Sequence, residues 1–248
     1  MNINPILFSD FYKVSHYRMY PPNTQYIYSN FTARYSRLTG VEKVVAFGFQ
    51  WFVKDILIER FNRDFFAKPW REIKRDYERR MNTSLGPNQV GTDHLHALHR
   101  LGYLPIKIKA LPEGTLCPIR VPMMTIVNTK PEFFWVTNFL ETLISAELWH
   151  PMTSATIAHE YRRVLDEYAR ITSDVPAFVD WQGHDFSMRG HTNVESATKS
   201  SAGHLLSFTG TDTIPAIDFL EQYYGDDADL ELIGGSIPAT EHSVMCFG

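Results

Sequence analysis

The sequence predicts an α/β protein whose first half mixes helices and strands and whose second half contains parallel βα units. From about Pro176 onward, short apolar runs alternate with helix-like segments, a spacing typical of parallel βα units. The 248 residues are 44% hydrophobic and 14% aromatic, which is enough for a large core in one or two domains. We therefore expect an N-terminal α+β domain at residues 1–175 and a partial α/β barrel at residues 176–248.

The first half begins with a predicted strand within residues 25–35, which is rich in aromatic and β-branched residues. Apolar residues at helical spacing predict a helix over residues 49–61. A second helix starts at Pro69 and carries one apolar stripe, and a third spans residues 93–101 and ends at Gly102.

Residues 105–110 and 116–127 read as strands, the second interrupted by prolines and therefore of edge or bulge character. Residues 131–149 have little polar face, which predicts a helix buried in a core or a dimer contact. Residues 153–171 predict a separate amphipathic helix. Its expected inward residues are Ile157, Tyr161, Val164, Leu165 and Tyr168.

In the second half, strands are predicted at residues 177–181, 206–208 and 230–233, and helices at residues 193–205 and 214–224. A complete βα barrel needs eight such units and roughly 200 or more residues. The chain has about three, so we expect it to be truncated.

Three polar motifs follow the three predicted strands. They are His184–Gly190, Gly210–Thr213 and Gly234–Ser243. The carboxyl ends of parallel strands are where α/β enzymes keep their chemistry. A single Asp, Arg or Phe at a strand end is commonly structural, but three ordered motifs together favour a functional site.

Composition limits the classes of partner. The chain has 24 basic and 28 acidic side chains, which give a formal charge of -4. This overall charge gives no reason to expect binding to nucleic acid or to an anionic membrane. Two cysteines and no uncharged run of about 18 residues predict a cytoplasmic chain without a membrane span. Small-molecule partners fit best.

Two alternative sites carry less weight. His94, His96 and His99 could be metal ligands, but only His96 and His99 share a helical face, and no carboxylate or thiol completes a set. His184 and Asp185 resemble a metal-hydrolase dipeptide, which is too short a signal to outweigh the longer motif. We expect no protein-held metal.

Two N-terminal segments join the three motifs in a family resemblance. With Ser9–Tyr17 and Tyr20–Thr24, the motifs resemble the N-terminal half of the nicotinamide phosphoribosyltransferase family. The resemblance implies an irregular phosphoribosyltransferase-type barrel packed on an α+β domain, and a dimer with sites at the subunit interface. It also implies a transferase of NAD salvage, which joins nicotinamide to phosphoribosyl pyrophosphate and releases pyrophosphate.

Residue chemistry agrees with that transfer. Phe186 offers a flat face to a pyridine ring, and the resemblance implies that Tyr12 of the partner subunit covers the other face. Asp212 can accept a hydrogen bond from the carboxamide and would repel the carboxylate of nicotinate. Arg189 suits a fork-like contact with carboxamide or phosphate oxygens.

The remaining roles come from the resemblance alone. It places Arg34 at the phosphate of the nucleotide product, Ser236 and Ile237 in the ring pocket, and Asp10 on the interface side.

The third motif is implied to couple ATP to the reaction. His242 matches the histidine that family members phosphorylate with ATP, and Glu241 is placed to orient or tune it. Mg²⁺ is expected with the pyrophosphate rather than in a protein cage.

The sequence departs from the family in two ways. Ser187 and Met188 stand where the animal enzymes have Gly-Tyr. The family's later ribose- and phosphate-binding residues are expected beyond Gly248, on the rest of a longer chain or on a second polypeptide. The alternatives are therefore a nicotinate phosphoribosyltransferase, or a non-catalytic dimerisation or interaction fragment.

Overall fold

The computed structural model of the chain describes residues 3–247. Internal contacts divide it into two compact units, Met1–Trp149 and His150–Gly248. Compact units are not identical with domains, so the boundary expected after residue 175 stays a prediction.

The first unit contains two small antiparallel sheets. The strands are β1 Tyr28–Thr32, β2 Lys43–Val45, β3 Ile106–Ala110, β4 Leu116–Pro118 and β5 Pro122–Asn128. In the larger sheet, β5 lies between β1 and β3, with Tyr28 opposite Val127 and Ile108 opposite Ile126. In the smaller sheet, β2 pairs with β4. The three predicted strand regions of this half are confirmed, the last one as two strands that end one residue later, whereas β2 lies outside them.

The predicted helices of this unit are present. The first is α1, Phe49–Trp51, which continues through π-helical turns at Phe52–Arg60 and Asn62–Phe66. The next two are α2, Trp70–Leu85, and α3, Asp93–Leu101. Gly102 ends α3 with a φ of 82°, a left-handed conformation that glycine adopts without steric cost.

The core of the first unit is aromatic. Ile73, Tyr77 and Met81 of the apolar stripe on α2 are buried, as predicted. The largest fully buried side chains of this unit include Phe47, Phe52, Phe61, Phe65 and Leu148. Burying a side chain of this kind stabilises a fold by roughly 1.5–3 kcal/mol.

The prediction of two helices separated near Pro151 is wrong. Residues 131–149 form a 3₁₀ turn at Pro131–Phe133, then α4, Val136–Phe139, and then the start of α5. Helix α5, Glu141–Thr172, continues through Pro151. Proline inside a helix costs about 3 kcal/mol. Buried residues on both sides, Leu148 and Met152, offset that cost.

The inward face predicted for residues 157–168 is also wrong. Tyr161 and Tyr168 are 64% and 61% exposed, and Ile157 and Val164 are exposed too. Leu165 is half-buried, and the rest of the apolar stripe faces outward in this chain.

The second unit has its predicted helices but not its predicted strands. Helices α6, Val194–His204, and α7, Pro215–Tyr224, are confirmed, and a short α8, His242–Met245, follows. Residues 177–181 lie in a 3₁₀-helix, Pro176–Trp181, and residues 206–208 and 230–233 form turns and bends. Runs of three to five apolar residues cannot distinguish a strand from a buried turn by periodicity.

Parallel pairing nevertheless occurs just downstream of those segments. Single parallel bridges join Asp185 to Thr211 and Gly210 to Gly235. The predicted parallel order of the three segments is therefore confirmed, although the strands are reduced to single bridges. Within residues 3–247, no helix combines the length and apolarity that crossing a bilayer demands.

Candidate active site

The parallel bridges hold the three motifs side by side. The amide of Asp212 donates to the carbonyl of Asp185 at 2.9 Å, and the amide of Thr211 donates to the carbonyl of Gly235 at 2.9 Å. The first motif therefore adjoins the second, and the second adjoins the third. This is the clustering that the sequence predicts.

Asp212 is the centre of the cluster. Its Oδ1 accepts hydrogen bonds from Ser236 Oγ at 2.6 Å and from His184 Nε2 at 2.7 Å. These bonds, the one from Ser236 first and then the one from His184, hold the pKa of Asp212 below its ordinary value. Asp212 is therefore ionised at neutral pH.

Phe186 contacts the histidine that bonds this carboxylate. Its side chain is 69% exposed, and its ring centroid lies 4.3 Å from that of His184 with 33° between the planes. His184 thus contacts both the aromatic ring and the carboxylate. An open flat face next to an oriented acceptor suits a planar ligand that carries an N–H donor.

Asp185 is the buried anchor beneath the site. Its Oδ1 accepts from the Ser187 amide at 2.9 Å and the Ser187 hydroxyl at 2.6 Å, and its Oδ2 accepts from Thr213 Oγ1 at 3.0 Å. Burial by itself would raise the pKa of Asp185, but hydrogen bonds from Ser187, Ser201 and Thr213 outweigh it and lower the pKa to about 2. Asp185 joins the first motif to the second.

Arg189 projects from a 3₁₀ turn, Met188–Gly190, and is exposed. It is close enough to Glu241 to act on it. Hydrogen bonds from the Ser243 amide and hydroxyl chiefly lower the pKa of Glu241, and the charge of Arg189 contributes further. The first motif therefore acts electrostatically on the third.

The third motif is an exposed loop leading into α8. Ser236 reaches Asp212, whereas Ile237 is 79% exposed. Glu241 accepts hydrogen bonds from the Ser243 amide at 3.1 Å and hydroxyl at 2.9 Å, and so caps α8. His242 is the first residue of α8, and its Nε2 lies 3.5 Å from Cys246 Sγ. The orienting role expected for Glu241 stays a prediction.

Three expected site residues belong to the first unit. Asp10 precedes a 3₁₀-helix, Phe11–Arg18, and accepts a hydrogen bond from Thr142 Oγ1 at 2.6 Å. Tyr12 is 60% exposed, and Arg34 is exposed after β1. Their functional roles stay predictions.

The histidines considered as metal ligands have other contacts. His96 stacks on Trp70 at 4.6 Å, and His99 Nε2 donates to the Lys68 carbonyl at 2.8 Å. Burial first, and then the charge of Arg18, lower the pKa of His94 to about 4. In the described part of the chain, no three His, Cys, Asp or Glu side chains group as metal ligands.

Sequence reasoning missed two structural roles in the first motif. The motif His184–Gly190 predicts no individual role for His184 or Asp185, yet His184 donates a hydrogen bond to Asp212, and Asp185 links two loops. The signal was present, because an Asp two residues before a Ser and facing a Thr-rich loop can accept several hydroxyl donors.

The comparison with solved structures identifies the fold class. The fold is that of a phosphoribosyltransferase, since the chain aligns with the crystal structure of human nicotinic acid phosphoribosyltransferase at a TM-score of 0.62. That alignment covers 96% of this chain and 40% of the human chain, at 18% identity, and so concerns the fold alone. Residues 181–248 match the nicotinate phosphoribosyltransferase family.

Sequence comparisons then specify the relatives. Residues 4–108 match the N-terminal domain of nicotinamide phosphoribosyltransferase. The chain is 51% identical to nicotinamide phosphoribosyltransferase of Acinetobacter baylyi over 99% of its own length and 49% of that protein. It is 34% identical to the Xanthomonas campestris enzyme of that name, over 98% of this chain and 48% of the relative. The predicted resemblance to the N-terminal half of nicotinamide phosphoribosyltransferase is confirmed, and the chain spans about half the length of these relatives.

Proposed function

We propose that this chain forms the nicotinamide-binding part of a pentosyltransferase of NAD salvage. In the proposed reaction, the pyridine nitrogen of nicotinamide attacks C1 of phosphoribosyl pyrophosphate. A C–N bond forms, the C1–oxygen bond breaks, and pyrophosphate leaves with the bonding electron pair. The products are nicotinamide mononucleotide and pyrophosphate.

The state of Asp212 carries this proposal. Its Oδ1 accepts from both Ser236 and His184, and these bonds lower its pKa, so a negative charge lies at the same histidine that contacts the exposed ring of Phe186. The carboxamide of nicotinamide can donate an N–H to this carboxylate. The carboxylate of nicotinate cannot donate and meets a like charge, so the site favours the amide over the acid.

The ring itself would be held by stacking and shape. Phe186 supplies one face, and the family resemblance supports Tyr12 of the partner subunit for the other. Ser236 and Ile237 would line the edge of the pocket, and Asp10 would orient the interface side. A homodimer follows from this arrangement.

Cations would neutralise the negative charge of the phosphate groups. Arg189 and Arg34 suit bidentate contacts with phosphate oxygens, and Mg²⁺ would arrive with phosphoribosyl pyrophosphate as part of the substrate complex. The transfer passes through a state with cationic character at the ribose, so positioning and electrostatics supply the rate without a covalent intermediate on the sugar.

ATP would act as a coupled phosphodonor. In this step a nitrogen of His242 attacks the terminal phosphate, ADP leaves, and water later removes the phosphate from the histidine. His242 follows Glu241 at the start of α8, and the Glu241 carboxylate lies within the electrostatic reach of Arg189, which supports a charge-sensitive role for this loop. We place the reaction in the cytoplasm, consistent with few cysteines.

Other parts of the enzyme would complete the ribose and phosphate sites, either in one longer chain or in a second polypeptide. A nicotinate phosphoribosyltransferase is the alternative supported by the family match of residues 181–248. A non-catalytic dimerisation or interaction fragment is the alternative from another class, supported by the exposed apolar stripe of α5.

Competition between the two pyridines tests the proposal. The complete enzyme, assembled from one polypeptide or from this chain and its complement, is given equal nicotinamide and nicotinate with Mg²⁺ and phosphoribosyl pyrophosphate. We expect nicotinamide mononucleotide as the main product. A main product of nicotinate mononucleotide would favour the nicotinate enzyme, and no transfer to either pyridine would favour the non-catalytic fragment.

A further inference from the structure

Ser187 is bonded to its surroundings on two sides. Its amide and its hydroxyl both donate to Asp185 Oδ1, at 2.9 and 2.6 Å. Since the one hydroxyl proton is directed to Asp185, the Ser187 oxygen accepts from His191 Nε2, 2.9 Å away. A continuous relay therefore runs from His191 through Ser187 to the buried carboxylate.

The relay continues into the second motif. Asp185 Oδ2 accepts from Thr213 Oγ1 at 3.0 Å, and the Thr213 amide donates to Thr211 Oγ1 at 2.9 Å. Asp212 lies between these two threonines. The relay therefore fixes the first motif relative to Asp212, the residue that we propose accepts a hydrogen bond from the carboxamide.

The same two residues flank the turn that carries Arg189. The Gly190 amide donates to the Ser187 carbonyl at 2.8 Å, and the His191 amide donates to the Met188 carbonyl at 3.3 Å. Ser187 precedes the turn and His191 follows it, so their side-chain bond closes the base of the loop. The exposed Arg189 side chain is consequently displayed from a turn whose base is tied to a buried anchor.

We infer that Ser187 is a positioning residue, which through the His191–Ser187–Asp185 relay holds Arg189 where it binds the phosphate oxygens of the pyrophosphate group. The inference rests on the proposed function and deepens it. Arginine binds phosphate through a planar fork of donors, so its affinity depends on the direction of approach as well as on charge. If the bond between Ser187 and His191 is removed, the Arg189 side chain keeps its charge but is no longer held in one direction.

The test is a double-mutant cycle in the complete enzyme, with inorganic pyrophosphate and Mg²⁺ as the calorimetric probe. We expect Ser187→Ala to weaken pyrophosphate binding about fivefold to tenfold, and Ser187→Thr, which keeps the hydroxyl, to restore binding to within about twofold. In an Arg189→Ala background, Ser187→Ala should have no further effect, because the serine acts through the arginine. Ser173→Ala is the matched control, since Ser173 Oγ accepts a local hydrogen bond from the Val175 amide at 3.1 Å, outside the three motifs.

Each outcome decides the inference. Equal weakening by Ser187→Ala with and without Arg189 would overturn it, as would a loss of nicotinamide binding with pyrophosphate binding intact. Absence of pyrophosphate binding by the unsubstituted enzyme would also overturn it. If Ser187→Ala fails to fold, Ser187→Thr against Ser187→Val decides, because the two differ only in the hydroxyl. An enzyme that binds pyrophosphate but makes no nicotinamide mononucleotide would contradict the proposed function, while the binding cycle would still decide the role of Ser187.

Discussion

His184 Nε2 donates a hydrogen bond to Asp212 Oδ1 over 2.7 Å, and the imidazole that makes this bond also lies against the ring of Phe186. One side chain therefore fixes the angle between an aromatic face and a carboxylate. A planar amide needs this pair of features, because stacking sets the plane of the ring and the carboxylate sets its rotation within that plane.

The charge of Asp212 should control the choice of pyridine. In the complete enzyme we expect Asp212→Asn to reduce the nicotinamide-to-nicotinate ratio of kcat/KM by about tenfold or more, since the substitution removes the repulsion and keeps a hydrogen-bonding group. Because hydrogen bonds lower the pKa of Asp212, the unsubstituted ratio should stay constant from pH 8 to about pH 5. Steady-state kinetics with both pyridines measures each effect, and an unchanged ratio in the variant would refute the role of Asp212.

Asp185 should make stability depend on acid. Its pKa falls from 3.8 in an unfolded chain to about 2 in the folded one, so the folded state binds fewer protons. The carboxylate therefore contributes about 2 kcal/mol above pH 3.8, and this contribution is lost as the pH falls towards 2. Urea unfolding of the complete enzyme between pH 6 and pH 3 checks this dependence. Asp185→Asn should be less stable at pH 6 and less sensitive to acid, and equal slopes for both proteins would contradict the assignment.

The sequence predicted the elements whose periodicity is long. Helix α2 repeats its apolar stripe over four turns, and α3 ends at a glycine, so tertiary context did not need to be known. The five residues 177–181 are too few to show a periodicity, and they form a 3₁₀-helix that begins at Pro176 instead of the predicted strand. Pro151 predicts a helix end that does not occur. The burial of residues on both sides of it outweighs the local tendency of proline to end a helix.

The sequence offers candidate residue types for the site but not the bonds that connect them. Asp212 and Phe186 are proposed from polar and aromatic groups in the motifs that follow the predicted strands, and Ser236 from the family resemblance. The bonds of His184 to Asp212 and of Asp185 to Thr213 join residues 28 positions apart, and only the parallel bridges determine them. The exposed face of α5 likewise depends on what packs against it.

His242 should couple ATP without attacking the sugar. We expect His242→Ala to abolish ATP stimulation and leave a slow basal transfer, because a phosphorylated histidine alters the charge of the site but forms no bond to C1. Initial rates with and without ATP measure this. Cys246→Ser is the control, since Cys246 lies 3.5 Å from His242 Nε2 and the substitution keeps the histidine. A fall of the basal and stimulated rates by the same factor in His242→Ala would show that the histidine is structural or directly catalytic.

Gly210 should be irreplaceable because of where His184 lies. A Cβ at residue 210 would be 2.5 Å from His184 Nδ1 and 3.2 Å from its Cγ, so alanine must displace the imidazole. The contact lies close to the Cγ atom through which the imidazole of His184 is attached. The imidazole therefore has little freedom to move without breaking its hydrogen bond to Asp212. We expect Gly210→Ala to cost about 1–3 kcal/mol of unfolding free energy, the range for overpacking, and to lower nicotinamide selectivity together with it.

Gly190 provides the matched comparison, since a Cβ there meets no atom of the described residues within 4 Å and the backbone is not left-handed. Gly190→Ala should therefore leave the free energy of unfolding within about 0.5 kcal/mol of the unsubstituted enzyme. Chemical denaturation of both variants gives the two free energies, and the nicotinamide-to-nicotinate ratio of kcat/KM shows whether His184 has moved. If Gly210→Ala were as stable and as selective as the unsubstituted enzyme, the imidazole would tolerate displacement, and His184 could not be the residue that orients Asp212.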